Sequence, residues 1–510
     1  MNRFTLLGLT LTASLHAQTM LVKPYVQPGD GAVLGGTDVK VLTWVTDQTP
    51  AAFTVEYHWA GGGMKTAEVV RTALHFPKLG AKPGATPAPE PQKPSGFNDA
   101  ATTLDELKTS IAATFAPIKE REQRYFRYRA VLPGLPFDSE VTYRVLMGGA
   151  PVREAAVKTR ASALKPVKFV MVGDMASNTP EQRQIAFQIS LQKPDFLVAL
   201  GDIVYPGGRA LQYMNHFFPC YNDAGKADPK IGAPLMATVP IYPVIGNHDA
   251  DTQKLPAFPD AFSAFYWFSV PKNGPGAGPW NLPLGRDASL ADTFKAAAGK
   301  EYPAMSDYSF DYGAAHFVVL DANSYAAAVI EKLIPWIERD LAASKQPWKI
   351  VCFHQPAFHT SREHYSEQRM RLLQPVFEKG GVDVVFAGHV HNYQRSMPLK
   401  FTPNPAKPDG RGRVEGDLVL DETFDGDKDT TPEGIIHIVS GGGGAKLYSV
   451  NLERTIERLK REQRGNYKPL TARYVAEKHS FSVIELTPSV FELRQIAVDG
   501  TEVDRFRITK

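Results

Sequence analysis

Five short apolar runs constrain this chain more than any other feature in it. Residues 168–172 (KFVMV), 195–200 (DFLVAL), 241–245 (IYPVI), 349–353 (KIVCF) and 382–387 (VDVVFA) are each about one strand long, and each stops abruptly at polar residues. A strand with one face in water alternates apolar and polar residues, whereas an unbroken run is buried on both faces. Helical composition at 180–192, 331–344 and 365–378 falls between such runs, which is the pattern of a layered α/β fold. Two further runs, 316–320 and 435–439, extend the set.

The polar residues after each run carry the chemistry. Asp174, Asp202, Asn247-His248-Asp249, His354, and His389 with His391 all fall just past the carboxyl end of an expected strand. That edge is where open α/β sheets bind ligands. A single Asp there is an ordinary cap or turn former. Five strands all ending in Asp, Asn or His form a set that caps do not explain. Two cations about 3.5–4 Å apart need a bridging anionic oxygen, separate ligands for each ion, and room for water and substrate. His389 and His391 stand two apart, so in extended backbone both point to one side. Cys220 and Cys352 are the only cysteines, which excludes a disulfide framework and a thiolate zinc site. Whether they pair depends on their distance in the fold.

Residues 20–160 read differently. The runs 39–45, 52–57, 125–132 and 140–146 are rich in Val, Thr, Tyr and Phe and are separated by Gly/Pro turns, as in a β-sandwich. Residues 76–97, full of Pro, Gly and Lys, read as an exposed insertion, and 251–306 as a long irregular excursion. Residues 1–17 (MNRFTLLGLTLTASLHA) have Arg3, a short apolar core and a small residue at Ala17, the pattern of a secretory signal. The apolar core falls short of the ~20 residues a span requires. The expectation is an exported protein, periplasmic or extracellular, with no membrane span. With 57 Lys+Arg against 54 Asp+Glu, the net charge of +3 favours neither a nucleic-acid binder nor a polybasic anchor. The charge run 454–464 reads as a solvated helix face.

In this order, GDMASN (173–178), GDIVY (201–205), GNHD (246–249), VCFHQPAFH (351–359) and GHVHNYQRS (388–396) resemble the calcineurin-like metallophosphoesterases, and within them the purple acid phosphatases. The resemblance implies an α/β fold: a layered β-sandwich metallophosphoesterase domain flanked by helices over 165–510. An N-terminal all-β, fibronectin type III-like sandwich over 20–160 would precede it. It implies two metal ions, the first held by Asp174, Asp202, Tyr205 and His391, the second by Asp202, Asn247, His354 and His389, with Asp202 bridging. Many members place a His two residues after the first Asp; here that residue is Ala176, and Tyr205 takes its place. A phenolate suits ferric iron, with a divalent iron, zinc or manganese ion beside it.

By the same resemblance, His248 contacts the phosphate or protonates the leaving oxygen, and His364 faces the leaving group. Glu363 stands where family members often carry another His. Asp249 either holds the His248 imidazole or caps the following turn. The implied activity is that of an acid phosphatase on small phosphate monoesters, by in-line attack of a hydroxide that the metal pair generates. Two alternatives stay open: a phosphodiesterase or nucleotide hydrolase with the same centre, and a non-catalytic surface or binding protein. His216, His359 and Cys352 read as packing residues, and Gly441–Gly444 as a tight turn.

Overall fold

The structure is a computed structural model, and it describes residues 19–76, 123–250, 260, 262–275, 304–323, 330–448, 451–462 and 468–510. The expected signal sequence, nearly all of the expected insertion over 76–97, and much of 251–306 lie outside the described residues.

The five apolar runs all form strands, divided between two sheets. Ile241–Pro243, Phe196–Ala199 and Val167–Val172 lie side by side and parallel. Their six-stranded sheet is completed by the antiparallel strands Ser480–Leu486, Val490–Ala497 and Glu502–Thr509. Trp348–Cys352 and Val384–Ala387 belong to a seven-stranded sheet, where Ala315–Val319 and Ile436–Ser440 continue the parallel set on either side. The sheets pack face to face through aromatic residues. Phe196 lies 4.3 Å from Tyr312 between ring centroids, and Tyr242 stacks on Phe310 at 3.7 Å. Such pairs add about 0.5–1.5 kcal/mol each beyond their area burial.

Helices cover the outer faces. Ile330–Ala343 buries Leu333, Ile337 and Leu341, spaced four apart along one stripe, in a cluster with Val318, Val351 and Val385. Pro180–Gln192 begins where Thr179 Oγ1 accepts the Gln182 N–H and Pro180 opens the first turn, and it ends at left-handed Lys193. The helix expected over 365–378 starts later: a 3-10 turn at Arg369–Leu373 leads into Gln374–Gly380. Pro375 is the reason, because a residue without an N–H is tolerated only in the first helical turn.

The N-terminal part is all β. Two four-stranded sheets enclose Leu42, Trp44, Val55, Tyr128, Tyr143 and Val145. The strand Met20–Gln27 contains Pro24, and it lies at a sheet edge, where a missing donor is tolerated. Buried charges tie this part to the rest. Lys40 and Arg160 converge on Asp38, and Arg160 also donates to Ala32 O at 2.7 Å and Asp311 O at 3.2 Å. Cys220 and Cys352 are both buried and unpaired. No helix among the described residues is long and apolar enough to cross a membrane.

Candidate metal centre

The carboxyl ends of the five strands meet at one rim between the two sheets. Close approach there needs glycine. A Cβ on Gly201 would fall 2.4 Å from His354 Nδ1, and the residue has φ +86°. Backbone hydrogen bonds then lace the loops together: Asp174 N donates to Gly201 O, Gly388 N to His354 O, and His389 N to Asp174 Oδ2. Asp174, Asp202 and His389 all have positive φ, a conformation that costs a non-glycine residue about 1–3 kcal/mol and that clusters at functional sites.

Three groups of ligand-competent atoms result, each within 4.8 Å internally: Asp174, Asp202 and His391; Asp202, His354 and His389; and, toward the surface, His364, Glu367 and His389. Asp202 belongs to the first two, the place of a bridging carboxylate. Tyr205 completes the first group. Its hydroxyl lies 3.0 Å from Asp174 Oδ1, 2.9 Å from Asp202 Oδ2 and 3.1 Å from His391 Nε2. His391 Nδ1 faces Lys446 O at 2.6 Å; since a carbonyl can only accept, Nδ1 carries a proton and Nε2 is the atom turned toward Tyr205. Two carboxylate oxygens and an imidazole nitrogen thus crowd one phenolic hydroxyl, a donor set that a cation would satisfy.

The second group reads the same way. His354 donates from Nδ1 to Leu200 O at 2.7 Å, so its Nε2 lone pair faces Asp202 Oδ1 at 3.2 Å without a hydrogen bond. Asn247 Oδ1 is likewise buried with no partner. Buried acceptors left bare are costly, so these donor sets fit a pair of hard cations. Charge tells the same story. Burial alone would lower the His354 pKa, but Asp202 and then Asp174 raise it, so the site favours positive charge at the place an ion would take. Burial opposes ionisation of Asp202, yet His354 and His248 hold its carboxyl well below the usual range. Burial, with Asp174 and Asp202 beside it, pushes the Tyr205 phenol well above its ordinary value.

Residues 167–393 match the family model described as calcineurin-like phosphoesterase. The chain is 24% identical over 325 residues to purple acid phosphatase 18 of Arabidopsis thaliana, covering 62% of this chain and 64% of that protein. It is 27% identical over 273 residues to probable inactive purple acid phosphatase 27 of the same plant, covering 51% of this chain and 36% of that one. The chain thus spans less than two thirds of these relatives. In fold it resembles purple acid phosphatase PPD1 from yellow lupin (Lupinus luteus) seeds, with TM-score 0.55, 18% identity, and coverage of 95% of this chain and 74% of that one. Residues 167–393 thus carry the calcineurin-like phosphoesterase match, and the chain is similar in sequence and fold to purple acid phosphatases.

Of the seven expected ligands, Asp174, Asp202, Tyr205, His354, His389 and His391 are brought together, and Asn247 follows Gly246, which packs closely against Asp202. The flanking residues are placed less as expected. His248 hydrogen-bonds through Nδ1 to Pro206 O at 2.7 Å. Asp249 does not orient that imidazole. It accepts from Gly246 N at 2.9 Å, Ile203 N at 2.9 Å and Val204 N at 3.3 Å, so it clamps the Asp202 loop to the Asn247 turn. These partners match neither expected role, since none of the donors lies in the turn after Asp249, and it is Pro206 O that orients His248. Burial and the nearby Asp202 push the Asp249 carboxyl up to about 7. His359 is buried, and desolvation lowers its pKa to about 3, in keeping with a packing residue. His216 is also buried, but its Nδ1 lies 3.1 Å from Tyr205 O, behind a candidate ligand.

Two residues at the site escape the sequence reading. Glu367 lies 2.8 Å from His364 Nδ1 and 3.2 Å from His389 Nε2, joining His364 to a candidate ligand. Tyr448 stacks on His391, with ring centroids 4.0 Å apart and planes at 10°. Its signal was available: Gly441–Gly444 follows the strand Ile436–Ser440, so the loop leaves a strand at the same rim as the ligands. Beyond its tight turn, that loop supplies both Lys446 O and Tyr448.

Proposed function

We propose that this chain is an exported acid phosphatase that hydrolyses phosphate monoesters at two metal ions. The observation that carries the reading is the crowd of carboxylate and imidazole atoms around the Tyr205 hydroxyl, mirrored by bare His354 Nε2 and Asn247 Oδ1. Asp174, Asp202, Tyr205 and His391 would hold one ion, and Asp202, Asn247, His354 and His389 the other. A phenolate ligand favours ferric iron in the first position and leaves a divalent iron, zinc or manganese for the second. When bound, the pair lowers the pKa of water and takes up charge on the phosphoryl oxygens.

The chain's own groups do the rest. His248 spends Nδ1–H on Pro206 O, so Nε2 is the atom turned toward Asp202 Oδ2, 3.9 Å away, and toward a bound phosphate. His364 spends Nδ1–H on Glu367, which leaves its Nε2 to pass a proton to the departing oxygen. Both imidazoles are about one third exposed, reachable by substrate. Lys446 O and Leu200 O fix the tautomers of His391 and His354, so each presents Nε2 to an ion. Export rests on the sequence of residues 1–17.

Comparing turnover of p-nitrophenyl phosphate and its bis-ester from about pH 4 to pH 9 tests the proposal. Monoester preference on the acid side is expected. A clear preference for the diester would transfer the site to the phosphodiesterase reading, and a stoichiometric metal pair with no hydrolysis would make it a binding protein.

A further inference from the structure

Asn323 follows the strand Ala315–Val319, next in the sheet to the strand Trp348–Cys352 that leads into His354, and is 1% exposed. It belongs to neither ligand set and to none of the motifs. Its amide nevertheless joins two of the ligand loops. Nδ2 donates to Ile245 O at 3.1 Å and Gly246 O at 3.3 Å, the two carbonyls just before Asn247. Oδ1 accepts from Gln355 Nε2 at 3.0 Å, the side chain just after His354.

The rotamer of Asn323 is itself fixed. Asp321 Oδ1 accepts from Asn323 Nδ2 at 2.9 Å and from Asn323 N at 3.0 Å, and Asp321 N in turn donates to Asp307 Oδ1 at 2.9 Å. The two loops so joined end in Asn247 Oδ1 and His354 Nε2, the buried acceptors that no hydrogen bond satisfies. Two lone pairs must meet one ion from two different sheets, and Ile241–Pro243 and Trp348–Cys352 do not pair with each other. A buried amide that donates to one loop and accepts from the other supplies the missing cross-link. The first ion's ligands are held by other groups: Asp174 through Gly201 O and His389 N, and His391 through Lys446 O.

We propose that Asn323 is a positioning residue that sets the Asn247 and His354 loops in register for the second metal ion, an inference that rests on the dinuclear reading above. Groups that orient metal ligands from behind typically contribute 10–100-fold in metal affinity.

The test is a metal-binding isotherm on the full chain, made metal-free and titrated with zinc, with bound metal per chain counted at each concentration. Wild type should fill in two steps. Asn323→Leu keeps the volume and removes the amide. Gln355→Met breaks the same contact from the other loop. Both should shift one step to roughly 10–100-fold higher zinc and leave the other in place. Far-UV circular dichroism reports whether each variant folds. Unchanged isotherms in the folded variants, or an equal weakening of both steps, overturn the role of Asn323 alone. A wild-type protein that binds no second ion overturns the dinuclear reading and the inference with it.

Discussion

Gly201→Ala isolates the close contact on which the rim depends. The added Cβ would meet His354 at Nδ1 2.4 Å, Cγ 2.6 Å and Cβ 2.8 Å. Carbon contacts settle at about 3.5–4.0 Å, so the imidazole must retreat by about 1 Å. It cannot slide freely, because Nδ1 is tied to Leu200 O at 2.7 Å. Two costs add: about 1–2 kcal/mol for alanine in the left-handed region and about 1–3 kcal/mol for overpacking. The expected loss of stability is therefore about 2–5 kcal/mol. A misplacement of about 1 Å at a reacting centre also costs about 100-fold in rate. Gly61→Ala is the control, since Gly61 has φ +81° with nothing within 4 Å of its would-be Cβ, so it carries the backbone cost alone. Thermal midpoints, zinc isotherms and kcat/KM of the two variants separate strain from collision. If Gly201→Ala loses no more stability than Gly61→Ala and keeps kcat/KM within about threefold of wild type, the collision does not govern the site.

Three other substitutions have defined outcomes. Asp38→Asn leaves Lys40 and Arg160 buried side by side without their shared carboxylate, and a loss of about 3–5 kcal/mol in urea unfolding is expected; an unchanged midpoint would mean that water reaches the cluster. His316 sits between Asp311 at 2.7 Å and Asp340 at 2.9 Å; burial alone would lower its pKa from 6.5, but the two hydrogen-bonded carboxylates raise it to about 9. A folded pKa above the unfolded one stabilises below the unfolded value and loses that contribution as pH rises through about 9. His316→Gln should therefore remove up to about 3 kcal/mol at pH 6 and little above pH 9, and a pH-independent difference would refute the ion pair. Tyr205→Phe should bleach any visible charge-transfer band of the iron-loaded protein; a colourless, active wild type carrying zinc or manganese in both sites would reject iron and keep the hydrolase.

What the sequence revealed follows from which physical constraints leave a one-dimensional trace. Burial on both faces forces continuous apolar runs, so Val167–Val172 and Trp348–Cys352 were legible, and so was the rim at their ends. Val69–Phe76 lies at a sheet edge and has four consecutive exposed residues, so it showed no period to detect. Tyr205 looked like a ligand only through family resemblance, whereas in space its hydroxyl touches three of the proposed ligands. Asp249 fitted two local roles in the sequence, yet its carboxylate takes neither, because its donors are Gly246 N and, from a distant loop, Ile203 N and Val204 N. Asn323 and Glu367 act across the fold on residues far away in sequence or on another turn. No local pattern encodes such contacts.

The backbone at the rim shows why the site sits between two large sheets. Positive φ at Asp174, Asp202 and His389 costs about 1–3 kcal/mol each, so about 3–9 kcal/mol together, comparable to the net stability of a domain. Flexible loops would relax out of such conformations. Here each strained residue is held from a second strand: Asp174 N by Gly201 O, Met175 N by Asp202 O, and His389 N by Asp174 Oδ2. Release at any one point would break a buried hydrogen bond. The strain turns carboxylates and imidazoles inward, toward one another, against their own repulsion. Cations would relieve that repulsion. Phe196 and Tyr242 sit on strands that lead into the ligand loops and pack against Tyr312 and Phe310 of the other sheet, so a core substitution such as Phe196→Ala should weaken metal affinity without touching a ligand; an unchanged zinc isotherm in a folded variant would refute that link.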